Sequence, residues 1–334
     1  MRGARGTGTN AKHFALSSML FAGAMLGALP PAAAQSSWPD RPIRLVVPFP
    51  PGGQTDTYTR LLARKLQEQA GGTVLVENRP GADTRIASDY VAKAAPDGTT
   101  YLVNGAVIAI NASLFPKLPY DTLKDFVPVS LLFQNPLILA AAPTLPVSTV
   151  ADVVKYSQTQ SRGVNFASAG KGTMGHLALE MFDDMAKLRV EHIAYKGSAP
   201  ALQDLITGTV ALFFDNTTSV LPFIRAGRAK AIAITSPKRV SNLPDLPTMQ
   251  EGGIAGFSAI NWTMLLAPAG TPVAVLARLE VETIKAMRSK EIVDQLTNDA
   301  VDVAASDRAE AARMLRDEIA RWGKVIKERN IQPN

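Results

Sequence analysis

The chain has 334 residues, no cysteine and a formal charge of +6, enough length for about two domains. Without cysteine there is no disulfide, no thiolate metal site, no cysteine nucleophile and no lipidated N-terminal cysteine. Three of the 35 basic residues precede Gln35 and none of the 29 acidic ones do, so the remainder carries only +3. With no Lys/Arg run interleaved with aromatics, nucleic acid is not an expected partner.

Arg2, Arg5 and Lys12 precede an uncharged apolar stretch, 14–29, closed by Pro30-Pro31 and Ala32-Ala33-Ala34. This pattern predicts a cleaved signal peptide over 1–34, with the mature chain beginning near Gln35. Roughly 16 residues is short of the ~20 a membrane anchor needs, and no other segment is long and apolar enough. Export then implies a soluble periplasmic protein that is not a lipoprotein. Arg2 and Arg5 are not adjacent, so translocation unfolded is expected, which argues against a preloaded cofactor; none is predicted.

Ile43-Arg44-Leu45-Val46-Val47 reads as an interior strand. Tyr58, Leu61, Leu62 and Leu66 then keep the period of an amphipathic helix. Between them lies Pro48-Phe49-Pro50-Pro51-Gly52-Gly53-Gln54-Thr55-Asp56, a glycine turn with Thr55 and Asp56 as candidate helix caps. Such a turn aims bare backbone N–H groups and the positive end of a helix dipole at one point, a site for an anion. A second strand at 73–78, a helix at about 84–94, a turn at Pro96-Asp97-Gly98 and a strand at 100–103 follow. Residues 131–141 are again strand-like, and a βαβ unit runs from 164–167 through a helix at 176–187 to 190–195. A helix at about 200–207, strands at 209–214 and 229–234, and a late helix marked by Leu315, Ile319, Trp322 and Ile326 complete the pattern. The alternation predicts an α/β protein with mostly parallel sheets.

The plan strand, glycine loop, helix recurs at Ala167-Ser168-Ala169-Gly170-Lys171-Gly172-Thr173-Met174-Gly175-His176. Gly170, Gly172 and Gly175 satisfy G-x-G-x-x-G, with Glu191 about 20 residues on. Glu191 falls at the start of its strand, however, where a ribose-binding acid does not belong. A P-loop fails because Gly172 follows Lys171 where Ser or Thr is required. Two such loops in one exported chain favour a clamp on one anion over two empty turns.

Catalytic patterns are poor. His176 and His192, the two histidines after residue 34, suit helix-end or core roles. There is no H-E-x-x-H and no G-x-S-x-G; neither Ser168 nor Ser198 forms a nucleophile elbow. Asp183-Asp184 reads as a solvated helix face. Tyr195 and Lys196 open a third strand-to-helix loop and could line a cleft or be packing and surface residues. Asp215-Asn216 ends a strand and could reach the same cleft or cap a turn.

These stretches also carry a resemblance. Trp38-Pro39-Asp40-Arg41-Pro42-Ile43, the first glycine loop, Glu77-Asn78-Arg79-Pro80-Gly81-Ala82, Ala95-Pro96-Asp97-Gly98, Pro119-Tyr120-Asp121, Asp125-Phe126, Tyr195-Lys196-Gly197, Leu243-Pro244-Asp245-Leu246-Pro247-Thr248 and Ala267-Pro268-Ala269-Gly270-Thr271-Pro272 together make the chain similar to the substrate-binding proteins of tripartite tricarboxylate transporters, the Bug family. The similarity covers essentially the whole mature chain. It implies a two-lobed periplasmic binding protein of type II-like architecture, each lobe a mostly parallel sheet flanked by helices. Lobe 1 would be discontinuous, 35–133 plus 262–334, and lobe 2 would span 134–261, with crossing strands near Gln134 and Asn261.

The resemblance further implies a monomeric receptor, not an enzyme. Its lobes would close on a small organic acid with one, two or three carboxylates, aromatic acids included, and present it to the transporter's membrane subunits. Backbone N–H groups of the two loops would hold one carboxylate. By motif position the implied ligand contacts are Phe49, Gly52, Gly53, Thr55 and Asp56 from one lobe and Ser168, Gly172 and Thr173 from the other, with Tyr195 and Asp215 as cleft candidates. One departure stands out. After Ala82 the family usually continues with glycines, an asparagine and another glycine, whereas this chain reads Asp83-Thr84-Arg85-Ile86-Ala87-Ser88. Arg85, or its neighbours, is therefore the candidate reader of the ligand's distal end, for instance through a bidentate bond to a second carboxylate; otherwise Arg85 lies on the outer face of its helix. A receptor feeding a sensor, or an exported hydrolase or oxidoreductase, are the alternatives.

Overall fold

The computed structural model describes Pro39 and residues 41–333. The signal expected over 1–34, and Trp38 and Asp40 of the opening motif, lie outside the described residues. The order begins with β1 (Ile43–Val47), α1 (Gln54–Ala70), β2 (Val74–Asn78), a 3-10 turn (Ala82–Thr84) running into α2 (Arg85–Ala92), β3 (Thr100–Gly105) and α3 (Val107–Leu114). A long β4 (Phe126–Ala141) leads to α4 (Val150–Thr159), β5 (Val164–Ser168), α5 (Met174–Ala186), β6 (Val190–Ala194), α6 (Ser198–Thr207), β7 (Leu212–Asn216), α7 (Thr217–Arg225) and β8 (Lys230–Ile234). The chain ends with β9 (Ile260–Pro268), α8 (Val273–Met287), α9 (Lys290–Asn298), β10 (Asp302–Val303) and α10 (Arg308–Glu328).

The strands share hydrogen bonds in the order β2-β1-β3-β9-β4-β7-β5-β6, with β8 and β10 also on β4. The outer groups are parallel, β1 with β2 and β3, β5 with β6 and β7. The centre differs from the expected mostly parallel sheets: β9 is antiparallel to β3 and β4, and β4 to β7. The reason is β4 itself. Its first stretch pairs with β9 as far as Pro136↔Ile260, and from Leu137 it pairs with β7 and β8. One strand thus serves both halves of the sheet, and the change of partners falls beside Asn135↔Asn261.

Local chemistry explains the element limits. α1 stops at Gly71, whose φ of 72° closes the helix in the left-handed conformation. β4 starts earlier than the apolar run 131–141 suggests because register shifts between Pro128 and Ser130 absorb the proline's missing donor. Tyr58, Leu62 and Leu66 of α1 pack with Leu276 and Leu279 of α8 on one face of the sheet. In α10, Leu315, Trp322 and Ile326 are buried as their spacing predicts. The indoles of Trp262 and Trp322 both donate to Glu318 Oε2, at 3.0 and 2.8 Å, so the two largest fully buried side chains share one acceptor. Of the pair read as a solvated helix face, Asp184 is exposed, whereas Asp183 is drawn into an ion pair with Arg329 beyond α10. Among the described residues no helix is long and apolar enough to cross a membrane, and no group of three His, Cys, Asp or Glu could hold a metal ion.

Candidate ligand-binding site

Both glycine loops sit where a parallel strand meets a helix, at the C-terminal ends of β1 and β5. In the first, Gly53 is the N-cap of α1, so Thr55 and Asp56 are not caps but belong to the first helical turn. Asp56 is buried and turns back into the loop. Its carboxylate accepts from Gly52 N–H at 2.8 Å, Asn78 Nδ2 at 2.9 Å and Arg60 Nε at 3.0 Å. Burial pushes the carboxyl up, and the hydrogen bonds from Arg60, Gly52 and Asn78 more than reverse this, holding it below the ordinary carboxylate range. Asn78 also donates to Phe49 O at 3.0 Å. Asp56 thus shapes the loop, while Phe49 and Thr55 face the space between the halves of the sheet.

In the second loop Thr173 caps α5, accepting from His176 N–H at 3.4 Å and donating to Gly170 O at 2.7 Å. Gly172 N–H donates to His176 Nδ1 at 3.0 Å. Ser168 is fully buried, accepts from Gly170 N–H at 3.2 Å and lies 2.7 Å from His192 Nε2. The His176 and His192 rings stack, centroids 4.1 Å apart. Burial, with His176 beside it, pushes His192 down to about 4. The glycines that mimic a dinucleotide fingerprint have packing reasons. A Cβ on Gly175 would stand 2.4 Å from Phe214 O, and one on Gly172 would stand 2.6 Å from Leu114 Cδ2.

The loops converge on a cavity of about 250 Å³. Phe49 and Thr55 come from the first loop, Asp83, Thr84, Asn111 and Leu114 from α3 and the turn before α2, Lys171, Gly172, Thr173 and Gly175 from the second loop, and Asp215 and Asn216 from β7. An outer chamber shares Phe49, Thr55, Asn216 and Asn261 and adds Gly52, Gly53, Gln54, Lys196 and Ser198. Asn216 Oδ1 accepts from Asn135 Nδ2 at 2.7 Å and Asn261 Nδ2 at 3.2 Å, tying the strands that run between the halves. Asn111 donates to Asp83 O at 2.7 Å.

Besides Asp56, three candidates stand elsewhere. Arg85 does not line the cavity: its Nε donates to Ala82 O at 2.8 Å and its guanidinium lies 3.9 Å over the Phe115 ring. Ala82, Asp83 and Thr84 have φ of 46°, 51° and 70°. This left-handed run presents Asp83 and Thr84 to the cavity and starts α2 with Arg85 folded back. Left-handed backbone costs non-glycine residues ~1–2 kcal/mol each, and it persists where surrounding contacts over-determine it. Here Asn111 holds Asp83 O, and Asn104 Nδ2 reaches Thr84 Oγ1 at 3.3 Å. Tyr195 donates to Asp204 Oδ2 at 2.5 Å, with its hydroxyl pushed up to about 12 by burial and that carboxylate; Lys196 and Ser198 face the outer chamber instead. Ser168 lies beneath its loop rather than on the cavity wall.

Asp215 does line the cavity. It is 3% exposed. Its Oδ1 accepts from Ser198 Oγ at 2.8 Å, and its Oδ2 is buried without a partner. Burial pushes this carboxyl up to about 7, against the opposing Ser198 hydroxyl and Asn216 N–H. Asp83 and Thr84 belong to the departing segment 83–88 that the sequence marked, whereas Asn111 and Leu114 were not singled out, because the apolar α3 carries no motif that could have marked them.

An α/β fold with a cleft walled by both halves of its sheet defines the class of solute-binding proteins. The family model described as the tripartite tricarboxylate transporter family receptor matches residues 58–331, and the chain belongs to that family, which includes the Bug proteins. It is 37% identical to Protein BugT of Bordetella pertussis over 307 residues, 91% of this chain and 94% of that one. Among solved structures, an R. palustris protein with adipate matches with a TM-score of 0.82 at 34% identity, covering 89% of this chain and all of that one. MatC from Rhodopseudomonas palustris with bound malate matches with a TM-score of 0.77 at 33% identity, covering 86% of this chain and 100% of that one. These relatives are solute-binding receptors rather than enzymes.

Proposed function

We propose that the chain is an exported periplasmic receptor that holds a small organic carboxylate between two lobes and delivers it to the membrane subunits of a tripartite tricarboxylate transporter. The observation that carries this is the convergence of two helix N-termini, α1 and α5, on one cavity walled from both halves. The first-turn amides of Gln54 and Thr55, and of Met174 and Gly175, have no intrahelical acceptor. Each pair can donate to a carboxylate at ~1.5–3 kcal/mol per bond to a charged group. Adipate and malate in the related structures support the ligand class.

The lobes in this reading are 35–133 with 262–334, and 134–261, turning about Asn135, Asn216 and Asn261. Closure follows from differential affinity: a ligand touching both loops stabilises the closed form. Thermal-shift measurements with mono-, di- and tricarboxylates test the proposal. A ligand at 100 times its Kd should add about 2.7 kcal/mol of stability, with the acid recovered unchanged. No shift with any of them, or conversion of a bound acid, would overturn it.

A further inference from the structure

We infer that Arg329, which lines neither chamber, is a positioning residue for ligand binding: it holds Glu180 against His176, and His176 holds the Gly172 loop that aims the α5 amides. The inference rests on the receptor reading above and on its division into lobes. On that division α10 starts in lobe 1. Arg308 donates its N–H to Glu280 Oε1 of α8 at 3.0 Å, and Ser130 Oγ of β4 donates to Ser306 O at 2.8 Å. With 21 residues the helix is roughly 31 Å long, and it ends on lobe 2. Just beyond it, Arg329 Nε donates to Glu180 Oε2 at 3.0 Å, and the same guanidinium pairs with Asp183 and lies 3.8 Å from Asp184 Oδ1. One helix therefore joins the lobes, and its polar end is fastened to the helix whose N-terminus faces the ligand.

Glu180 is the bridge. Its Oε1 lies 3.5 Å from His176 Nε2, and His176 Nδ1 accepts from Gly172 N–H at 3.0 Å. A neutral imidazole that accepts at Nδ1 carries its proton on Nε2, the nitrogen that Glu180 faces. The ring is 5% exposed and the His192 ring stacks on it, so its neighbours rather than water choose the tautomer. The contact with His176 and the Arg329 guanidinium together hold the Glu180 carboxyl below the ordinary range, against the effect of burial.

Arg329 is what keeps Glu180 in place. Glu180, Asp183 and Asp184 share one face of α5, at spacings of three and four residues where like charges repel. The guanidinium neutralises that face. Without it Glu180, whose side chain is already 20% exposed, turns toward water, and Nε2 loses the group that holds its proton. A ring with its proton on Nδ1 presents a donor to the Gly172 donor, and the loop hydrogen bond is lost. Met174 and Gly175 follow directly on this loop, so their amides lose their aim.

Amide exchange and imidazole nitrogen shifts read by NMR, with isothermal titration of malate, adipate and citrate, test this on protein stripped of co-purified ligand. In Arg329→Ala and Glu180→Ala the Gly172 amide should exchange about fivefold faster, as expected for losing one hydrogen bond, and His176 should carry its proton partly on Nδ1. The acids that the wild type binds should bind about fivefold more weakly, and Arg329→Lys should recover part of both losses. The control is Arg308→Ala. It removes an arginine–glutamate pair of the same helix with similar exposure, 31% and 16% against 30% and 20%, and should leave Gly172, His176 and affinity unchanged. An unchanged Gly172 amide or an unchanged affinity in Arg329→Ala would overturn the proposal, as would equal effects in Arg308→Ala. If Arg329→Ala fails to fold, Glu180→Ala decides by the same readouts. If the wild type binds none of the acids, the receptor reading fails, while Gly172 exchange still decides the relay.

Discussion

The two glycine loops use one device with different chemistry. In each, a glycine with positive φ, 82° at Gly52 and 72° at Gly172, donates its N–H to a side chain four residues on in the following helix. The first acceptor is the Asp56 carboxylate, which also serves Asn78 and Arg60. The second is a single imidazole nitrogen of His176, one ring of a stacked pair. On the proposed receptor reading, this difference moves the clamp along the chain. The amides of Gly52 and Gly172, which a sequence reading assigns to the ligand, are committed to shaping their own loops. The amides left open lie in the helix first turns, two and three residues further on.

The largest test of this difference is removal of each acceptor. Asp56→Ala strands three donors and should cost about 3 kcal/mol, as expected for losing bonds to a buried charge. His176→Ala strands one and should cost about 1 kcal/mol. Urea unfolding of both variants measures the gap. Because the Asp56 pKa is depressed, its contribution is complete above the ordinary carboxylate range. It disappears as pH falls through the lowered folded value. Equal losses in the two variants would mean that the loops are held equally.

The glycines themselves differ next. At Gly52 a Cβ meets open space, whereas at Gly172 it meets Leu114 from the opposite wall. Gly52→Ala should cost only the left-handed backbone penalty of ~1 kcal/mol. Gly172→Ala should cost roughly 2 kcal/mol, adding a clash across the cleft. Should Gly172→Ala be the milder of the two, the halves would not be in contact there in solution.

A smaller effect separates the loops by pH. His192, beneath the second loop, is pushed down to about 4 from 6.5. Between those values the unfolded chain binds a proton that the folded one refuses, so stability must fall as pH drops from 6.5 toward 4. Discounted for partial exposure, the loss should be about 1–2 kcal/mol. His192→Gln should flatten that limb of the stability profile, while an unchanged slope would assign it to other groups.

Much of this was legible in the residues. Period-2 and period-3.6 patterns located β1, α1, β5 and α5, and the repeated strand, glycine loop and helix marked both walls of the cavity. Side-chain direction was not legible. Asp56 and Ser168 carry the right motif positions yet point into their own loops, because a buried polar group takes the nearest donors. Arg85 misled for a different reason: charge suggested contact with an anion, but the backbone before it decided where it could point. Asn135, Asn216 and Asn261 meet only because β4 and β9 pair across 126 residues of sequence, which no local pattern reveals.

That backbone before Arg85 gives the mildest comparison. Gly52 and Gly172 meet positive φ with glycine, whereas Ala82, Asp83 and Thr84 meet it with side chains. Thr84 and Asp83 have a place in the cavity wall, but Ala82 lines neither chamber. Ala82→Gly should therefore relieve the left-handed penalty of ~1–2 kcal/mol, partly offset by ~0.5–1 kcal/mol of added freedom in the unfolded chain. The expected result is a gain of about 0.5 kcal/mol with carboxylate affinity unchanged. A loss of stability would show that contacts from Asn104 and Asn111, rather than the residue at 82, set the energy of the turn. A change in affinity would show that rigidity at 82–84 holds Asp83 and Thr84 in place for the ligand. Either result would separate this wall from the glycine loops, which reach the same backbone conformation without strain.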